Sequence, residues 1–291
     1  MNKREKGALL ARTVEHVFRC PICHGEMAVF ELRSLVCGQN HTFDFSKHGY
    51  LNMLMRPPTS KYDKELFKER KKIMEETRFF QPLIKKILEI VSDYSKGKND
   101  LSLIDMGCGE GSHLKQISAA LRNDFGIKLF SAGIDIAKEG IREGAKNGEQ
   151  SVWLVADIAN APFKDKAFDV LLNILSPSNY REFERLLKDD GILIKVIPQK
   201  NYLIELRQLF YEDEKQEYSN EGTAALFKEN FYLEEMIPVK YQTALGPSAF
   251  YSLMKMTPLT WNVGEERLKK AIKSGENKIT VDLEILIGKK K

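Results

Sequence analysis

The stretch that most constrains this chain is Leu103-Ile104-Asp105-Met106-Gly107-Cys108-Gly109-Glu110-Gly111-Ser112, an apolar run that breaks into alternating glycines and then resumes at helical spacing. Such a run reads as a buried strand, and glycines beyond it let the backbone turn sharply and pass close to a ligand at the strand's carboxyl end. The same rhythm continues downstream. Apolar runs at 101–105, 129–136, 152–157, 168–174 and 192–197 alternate with segments 112–122, 137–147 and 180–188, which have helical spacing and charged faces. Strand and helix in strict alternation predict an α/β fold with a doubly wound, mostly parallel sheet. Beyond Pro198 come a helix near 201–211, an extended stretch over 231–240, a helical stretch near 248–256 and a final alternating strand over 279–287, which fits a late antiparallel addition.

A dinucleotide-binding turn needs glycine three residues after Gly109, where this chain has Ser112, so that reading fails. The observed Asp-x-Gly-x-Gly-x-Gly instead resembles the first motif of class I (Rossmann-like) methyltransferases, which use S-adenosylmethionine. The resemblance implies that Asp105 opens a loop, with Gly107, Gly109, Gly111, Ser112 and His113, around the methionine part of that cofactor. It also implies that Asp135 and Ile136, ending the second strand, receive the ribose. Asp157 would bond the adenine amino group while the backbone N–H of Ile158 reads the ring, and Asn173 would close the site from the fourth strand. Ala161-Pro162-Phe163 matches the small-Pro-Phe turn before that strand. Each glycine or aspartate taken alone is equally a tight turn or a helix cap. Four such features in register on successive strands are hard to obtain by chance.

Ahead of this region, Cys20-Pro21-Ile22-Cys23 is followed by Cys37 and His41, giving C-x2-C and C-x3-H. Two such knuckles can surround a tetrahedral ion, and thiolates with an imidazole suit zinc. The surrounding piece, 16–54, shows two short alternating runs and too little apolar area to fold unaided; structural zinc typically supplies roughly 10–16 kcal/mol of apparent binding energy. Four ligands fill the shell, so this zinc would be structural. The alternative is a set of buried free cysteines with a surface histidine. His24 is a rival ligand whose place beside Cys23 would strain the knuckle, and His16 and His48 read as surface or packing residues.

Charge is unevenly placed: residues 1–75 hold 14 Lys/Arg against 9 Asp/Glu, and the remainder 31 against 32. A basic accessory region beside a neutral domain suits an enzyme that docks on a polyanion. Aromatics Phe43, Phe45 and Tyr50 lie among Lys47, His48 and Arg56, a mixture used in single-stranded RNA recognition, although the phenylalanines read more simply as the small module's core. No run of eighteen apolar residues occurs and the first twenty residues lack a signal peptide's apolar stretch, which predicts a cytoplasmic protein without a membrane partner. Between the two regions, 62–94 predicts two helices that meet near Phe79-Phe80-Gln81-Pro82. The expected organisation is a zinc-binding module over 1–58, a helical connector or lid over 59–98 carrying Arg70, Arg78 and Phe80, and a catalytic domain over 99–291.

The string Cys-Pro-x-Cys, Cys-x3-His-x-Phe-Asp and Lys47 to Leu54, followed by Gln81-Pro82-Leu83, Asp105-x-Gly-Cys-Gly-Glu-Gly, Ser176-Pro177 and Met256-Thr257-Pro258 with Trp261, resembles the RlmA family of 23S ribosomal RNA guanine-N1 methyltransferases over nearly the whole chain. The resemblance implies a zinc module that grips an RNA stem-loop, methylation of a guanine lining the peptide exit tunnel, often a homodimer, and in one subgroup a link to macrolide tolerance. Leu175-Ser176-Pro177 departs from the family's usual Ala-Pro. Methylating the ring nitrogen requires it to lose a proton, so an acceptor is expected near the reacting atoms. The residues do not identify that acceptor; Asn173 and Ser176, at the end of the fourth strand and in its loop, are the polar candidates for a catalytic role, and Tyr202 and Arg207 are candidate RNA contacts near the same mouth. Two rival readings are a small-molecule methyltransferase of quinone type with zinc as scaffolding, and a non-catalytic RNA-binding protein that keeps the fold.

Overall fold

The structure is a computed structural model and describes residues 1–56, 63–148, 150–211, 220–273 and 278–291. Helix α1 (Lys3–Thr13) has no counterpart in the sequence expectations, although Asn2 and Glu5 close a reciprocal capping box at its start. Strands β1 (Met27–Phe30), β2 (Ser34–Cys37) and β3 (Thr42–Asp44) form an antiparallel sheet, one strand more than the two short runs predict. A fourth, β4 (Leu51–Asn52), belongs to this module in sequence and leaves it in space.

Two helices follow as expected, α2 (Lys64–Glu76) and α3 (Gln81–Tyr94). Asp63 caps α2 by accepting from the Leu66 N–H at 2.8 Å, and Pro82 sits in the first turn of α3, where its missing N–H has no helical partner to lose. The expected start of the first helix at 62 and the boundary at 58–59 lie outside the described residues.

The alternating region comprises β5 (Asp100–Met106), α4 (Ser112–Asn123), β6 (Lys128–Asp135), α5 (Lys138–Asn147), β7 (Val152–Val155), β8 (Phe168–Ile174), α6 (Tyr180–Leu186) and β9 (Leu187–Pro198). Helix α6 stops at Leu186, short of the predicted 188, because Leu187 already pairs with Phe168 as the first residue of β9. After it come α7 (Ile204–Phe210), α8 (Glu221–Asn230), β10 (Phe231–Ala244), α9 (Pro247–Met256), α10 (Glu265–Lys273) and β11 (Lys278–Lys290). Helices α8 and α10 were not expected.

The large sheet runs β10-β11-β9-β8-β5-β6-β7-β4. Every neighbouring pair from β9 to β4 is parallel, whereas β11 lies antiparallel between β9 and β10. This is the doubly wound sheet with its late antiparallel addition. Strand β8 is buried along its whole length, as a strand covered on both faces must be.

The module and the connector are built into this sheet. Leu51 and Asn52 of β4 pair with Leu154 and Val155 of β7, and the Met53 N–H donates to the Val155 carbonyl at 2.8 Å. Phe18 stacks on Phe163 at 5.4 Å, while the Arg19 N–H donates to the Pro162 carbonyl and the Lys164 N–H to that of Val17. One core cluster therefore joins Phe18, Leu35, Phe45 and Met53 to Ile104, Leu154 and Phe163; a second, on the other face, joins Ile73, Phe79, Phe80 and Ile87 to Leu103 and Leu172. Phe43, Phe45 and Tyr50 are buried, so they are core residues and offer no face to RNA.

Candidate active site and metal centre

The zinc ligands come from two turns. In the first, the His24 N–H donates to the Cys20 carbonyl and the Cys20 N–H to that of Gly25, both at 2.9 Å, folding Cys20 and Cys23 into a knuckle. The second lies between β2 and β3 and carries Cys37 and His41. His41 Nδ1 is 3.5 Å from Cys20 Sγ and 3.3 Å from Cys37 Sγ, and Cys23 Sγ is 3.6 Å from Cys37 Sγ. All four ligand atoms lie within 4.8 Å of one another. Tetrahedral zinc with ligands at about 2.0–2.3 Å separates them by about 3.3–3.8 Å, so both spacing and donor chemistry fit. The protein supplies four ligands, leaving no position for a reacting water. This is a structural zinc site. His24 is exposed, its backbone is left-handed (φ 60°), and it stands outside the cluster; His16 is exposed as well.

The glycine loop joins β5 to α4 at the carboxyl end of the sheet. Gly107 and Gly111 have φ of 83° and 72°, and a Cβ would overlap Ser176 at the first and the Trp153 ring at the second. Asp135, at the end of β6, pins this loop: one carboxylate oxygen accepts from the Gly109 N–H and the other from the Ala137 N–H, both at 2.8 Å. Burial raises its pKa, and those two hydrogen bonds oppose the rise.

Arg70 of α2 reaches the loop and pairs with the fully buried Glu110 at 2.6 Å. Burial works against the guanidinium charge, but Glu110, with Tyr202, Asp105 and Asp135 behind it, holds it firmly charged. Three carboxylates thus surround one cation. Asp105 is 1% exposed and its Oδ1 has no hydrogen-bond partner; burial pushes its pKa up to about 8, Arg70 opposes, and Asp135 and Glu110 add to the rise. Ser112 Oγ and His113 Nε2 are also buried without partners. The His113 imidazole lies edge-on to Phe80 at 5.2 Å, and burial, with Arg70, lowers its pKa to about 3, so it is neutral. Unsatisfied buried acceptors in an acidic cradle, on a loop where added Cβ atoms would clash, fit a bound molecule that is cationic and polar: the ammonium and sulfonium of S-adenosylmethionine. Ile136 is 37% exposed at the end of β6. Asp157 and Ile158 follow β7; Asp157 is exposed and caps its own turn through the Ala159 N–H at 2.9 Å.

Beside the loop, a cavity of about 360 Å³ is lined by Arg70, Leu175, Ser176, Lys195, Tyr202 and Met256, among others. That is room for a small ligand or one base. Two leucines on its wall, Leu175 and Leu203, hold left-handed backbone (φ 52° and 54°), a strained conformation that recurs at functional sites. Ser176 faces both the cavity and Gly107. Asn173 is fully buried and its amide fully used: Nδ2 donates to the carbonyls of Met106 (2.8 Å) and Pro177 (3.0 Å), and Oδ1 accepts from Lys195 Nζ (2.6 Å) and Ser178 Oγ (3.3 Å). It braces the loop and has no group left for a substrate.

Lys195 escaped the sequence reading. It is 3% exposed, and burial lowers its pKa to about 8. The available signal was a lone lysine inside Ile192-Leu193-Ile194-Lys195-Val196-Ile197, a strand covered on both faces and so without an outward side. Arg207 is buried and donates to the Lys200 and Tyr202 carbonyls, which removes it as an RNA contact, and Phe80 is core rather than lid. Arg78 is exposed. Where the module meets α5, His48 has its pKa lowered by burial and then by Lys47, Arg142, Lys146 and Lys3, the mark of a local basic cluster.

The model described as "RlmA, N-terminal" matches residues 18–61, and one described as a methyltransferase domain matches residues 97–238. YxjB of Bacillus subtilis (strain 168), provisionally designated a 23S rRNA (guanine-N(1)-)-methyltransferase, is 44% identical over 287 residues, spanning 97% of this chain and 100% of its own. The 23S rRNA (guanine(748)-N(1))-methyltransferase of Streptomyces fradiae is 24% identical over 264 residues, 90% of this chain and 92% of its own.

Proposed function

Because the chain belongs to the RlmA family of 23S rRNA (guanine-N1) methyltransferases, we propose that it methylates N1 of a guanine in a stem-loop of 23S ribosomal RNA near the peptide exit tunnel, in the cytoplasm. The observation that carries the reading is 44% identity along the whole length of a relative so designated, in a chain whose zinc cluster, acidic glycine loop and adjoining cavity all lie within the matched span. When bound, S-adenosylmethionine supplies an electrophilic methyl carbon on sulfonium. The chain's own residues do the positioning. Asp105, with Ser112 and His113, receives the polar groups of the methionine end. Asp135, with Ile136 beside it, turns its remaining lone pairs to the ribose, and Asp157 and Ile158 flank the adenine. A looped-out guanine enters the cavity beside Ser176, which costs least where the base is already unpaired. The cations around His48 and the exposed Lys47 and Arg56 line the approach of the phosphate backbone.

N1-methylguanine cannot form a Watson–Crick pair, so it stops reverse transcription. Primer extension and mass mapping of 23S ribosomal RNA from cells lacking the gene should show one such stop lost, and restored by the wild-type gene. An unchanged N1-methylguanine content refutes the substrate and leaves the cofactor reading standing.

A further inference from the structure

We propose that Lys195 is the group that takes the ring proton from the guanine as its N1 is methylated. The inference rests on the guanine-N1 reading above. N1 of a neutral guanine carries a hydrogen and its electron pair is delocalised, so it becomes a nucleophile only as that proton leaves.

The cavity beside the glycine loop offers few groups able to accept it. Arg70 is a paired cation, Asn173 is saturated, and burial keeps the Tyr202 hydroxyl protonated. Lys195 remains. Its Nζ lies 2.6 Å from Asn173 Oδ1 and 3.3 Å from the Ser176 carbonyl oxygen. The orientation of the Asn173 amide is not arbitrary: its Nδ2 meets the carbonyls of Met106 and Pro177, which only accept, so Oδ1 must face Lys195. Both protein neighbours of Nζ are therefore acceptors. A neutral amine has two N–H bonds, and these two acceptors use them, leaving the lone pair for a third direction. An ammonium would bring a third hydrogen for which the described residues offer no acceptor.

Charge around the group agrees. Among the described residues no carboxylate pairs with Lys195, whose pKa burial alone brings to about 8. The facing titratable groups are Arg70 from α2 and Tyr202 beyond β9. On the neighbouring β11, Glu284 is engaged by Gln199 and Asp282 by Asn201 and Lys240.

In the step, neutral Lys195 accepts the N1 proton and becomes an ammonium. The N1 pair forms the bond to the methyl carbon while the methyl–sulfur bond breaks, its pair staying on sulfur as the neutral thioether of S-adenosylhomocysteine. Lys195 then passes its proton to water. Asn173 is a positioning residue, holding the amine by one acceptor.

The test compares the wild type with Lys195→Met and Lys195→Arg on 23S ribosomal RNA from cells lacking the gene. It reads single-turnover rates from pH 6 to 10, cofactor and RNA affinities, and, in the protein without cofactor, the pH dependence of Lys195 acylation by mass spectrometry. Both variants should lose about 100-fold or more in rate at pH 7.5 while binding within a factor of about three of the wild type. The wild-type rate should rise about tenfold per pH unit and level near pH 8, where Lys195 acylation also reaches its half-point. Retention of more than about a tenth of the rate by Lys195→Arg overturns the proposal, because a fixed charge then suffices. Acylation that titrates like an exposed lysine overturns it independently of how the variants fold. A wild-type enzyme that methylates no guanine refutes the substrate reading, whereas active variants beside an active wild type refute only the role of Lys195.

Discussion

Cofactor binding should expel a proton from Asp105. With a pKa of about 8, its carboxyl is about 0.9 protonated at pH 7 in the unliganded protein. A cation placed beside a carboxylate lowers its pKa by about 1–3 units, and a shift of about two takes Asp105 to about 6. The difference between the two titration curves is a release of about 0.8 proton per cofactor at pH 7, about 0.5 at pH 8 and about 0.1 at pH 9 or pH 5. Affinity should accordingly tighten by up to about 100-fold from pH 5 to pH 9. Isothermal titration calorimetry in buffers of different ionisation enthalpy measures the release. Subtracting the same measurement on Asp105→Asn removes titration of the cofactor's own amine and of Lys195. A difference under about 0.2 proton at pH 7, or an affinity flat in pH, refutes the acidic-cradle argument. The stability sign is opposite to that of a salt-bridged aspartate. The folded pKa lies above the unfolded value, so between about pH 4 and 8 the folded chain holds the extra proton and loses stability as pH rises; Asp105→Asn should flatten that slope.

Cys37→Ser should lose the zinc equivalent, measured by metal analysis of the purified protein, and unfold the module at 25 °C, since a structural zinc contributes about 10–16 kcal/mol of apparent binding energy; His24→Ala should retain the metal, and full retention by Cys37→Ser contradicts the four-ligand site. Gly111→Ala forces a left-handed alanine against the Trp153 ring. It should destabilise the chain by about 2–5 kcal/mol in denaturant titration, with a shifted Trp153 emission, and a loss under about 1 kcal/mol contradicts the packing described.

What the sequence disclosed followed how locally each feature is encoded. Zinc ligands declare themselves by spacing, and Leu103, Leu171 and Ile194 mark central strands because a strand covered on both faces must be apolar throughout. Helix α1 was hidden because it buries only Ala8 and Ala11, too narrow a stripe to register as amphipathic, even though its capping box was legible. Strand β4 is two residues long and acquires meaning only from its pairing with β7. Asn173 was singled out by position, but its role depends on which atoms surround it, and the amide proves to be a brace. Lys195 was missed for the converse reason: a lysine in a strand reads as surface until the second layer of helices is known to cover it.

The zinc site also works as an edge guard. Strand β7 (Val152–Val155) is buried along its length and would be the last strand of the parallel sheet were it not for β4. Without metal the module loses the cross-link between its two turns, leaving β4 held only by its rungs on β7 and by the packing of residues such as Phe18 and Met53, and β7 is more readily uncovered as an apolar border, the kind of surface that recruits strands from other chains. Its carboxyl end runs directly into Asp157 and Ile158, so fraying there reaches the adenine end of the cofactor site. A zinc-starved chain should therefore lose solubility and cofactor affinity together.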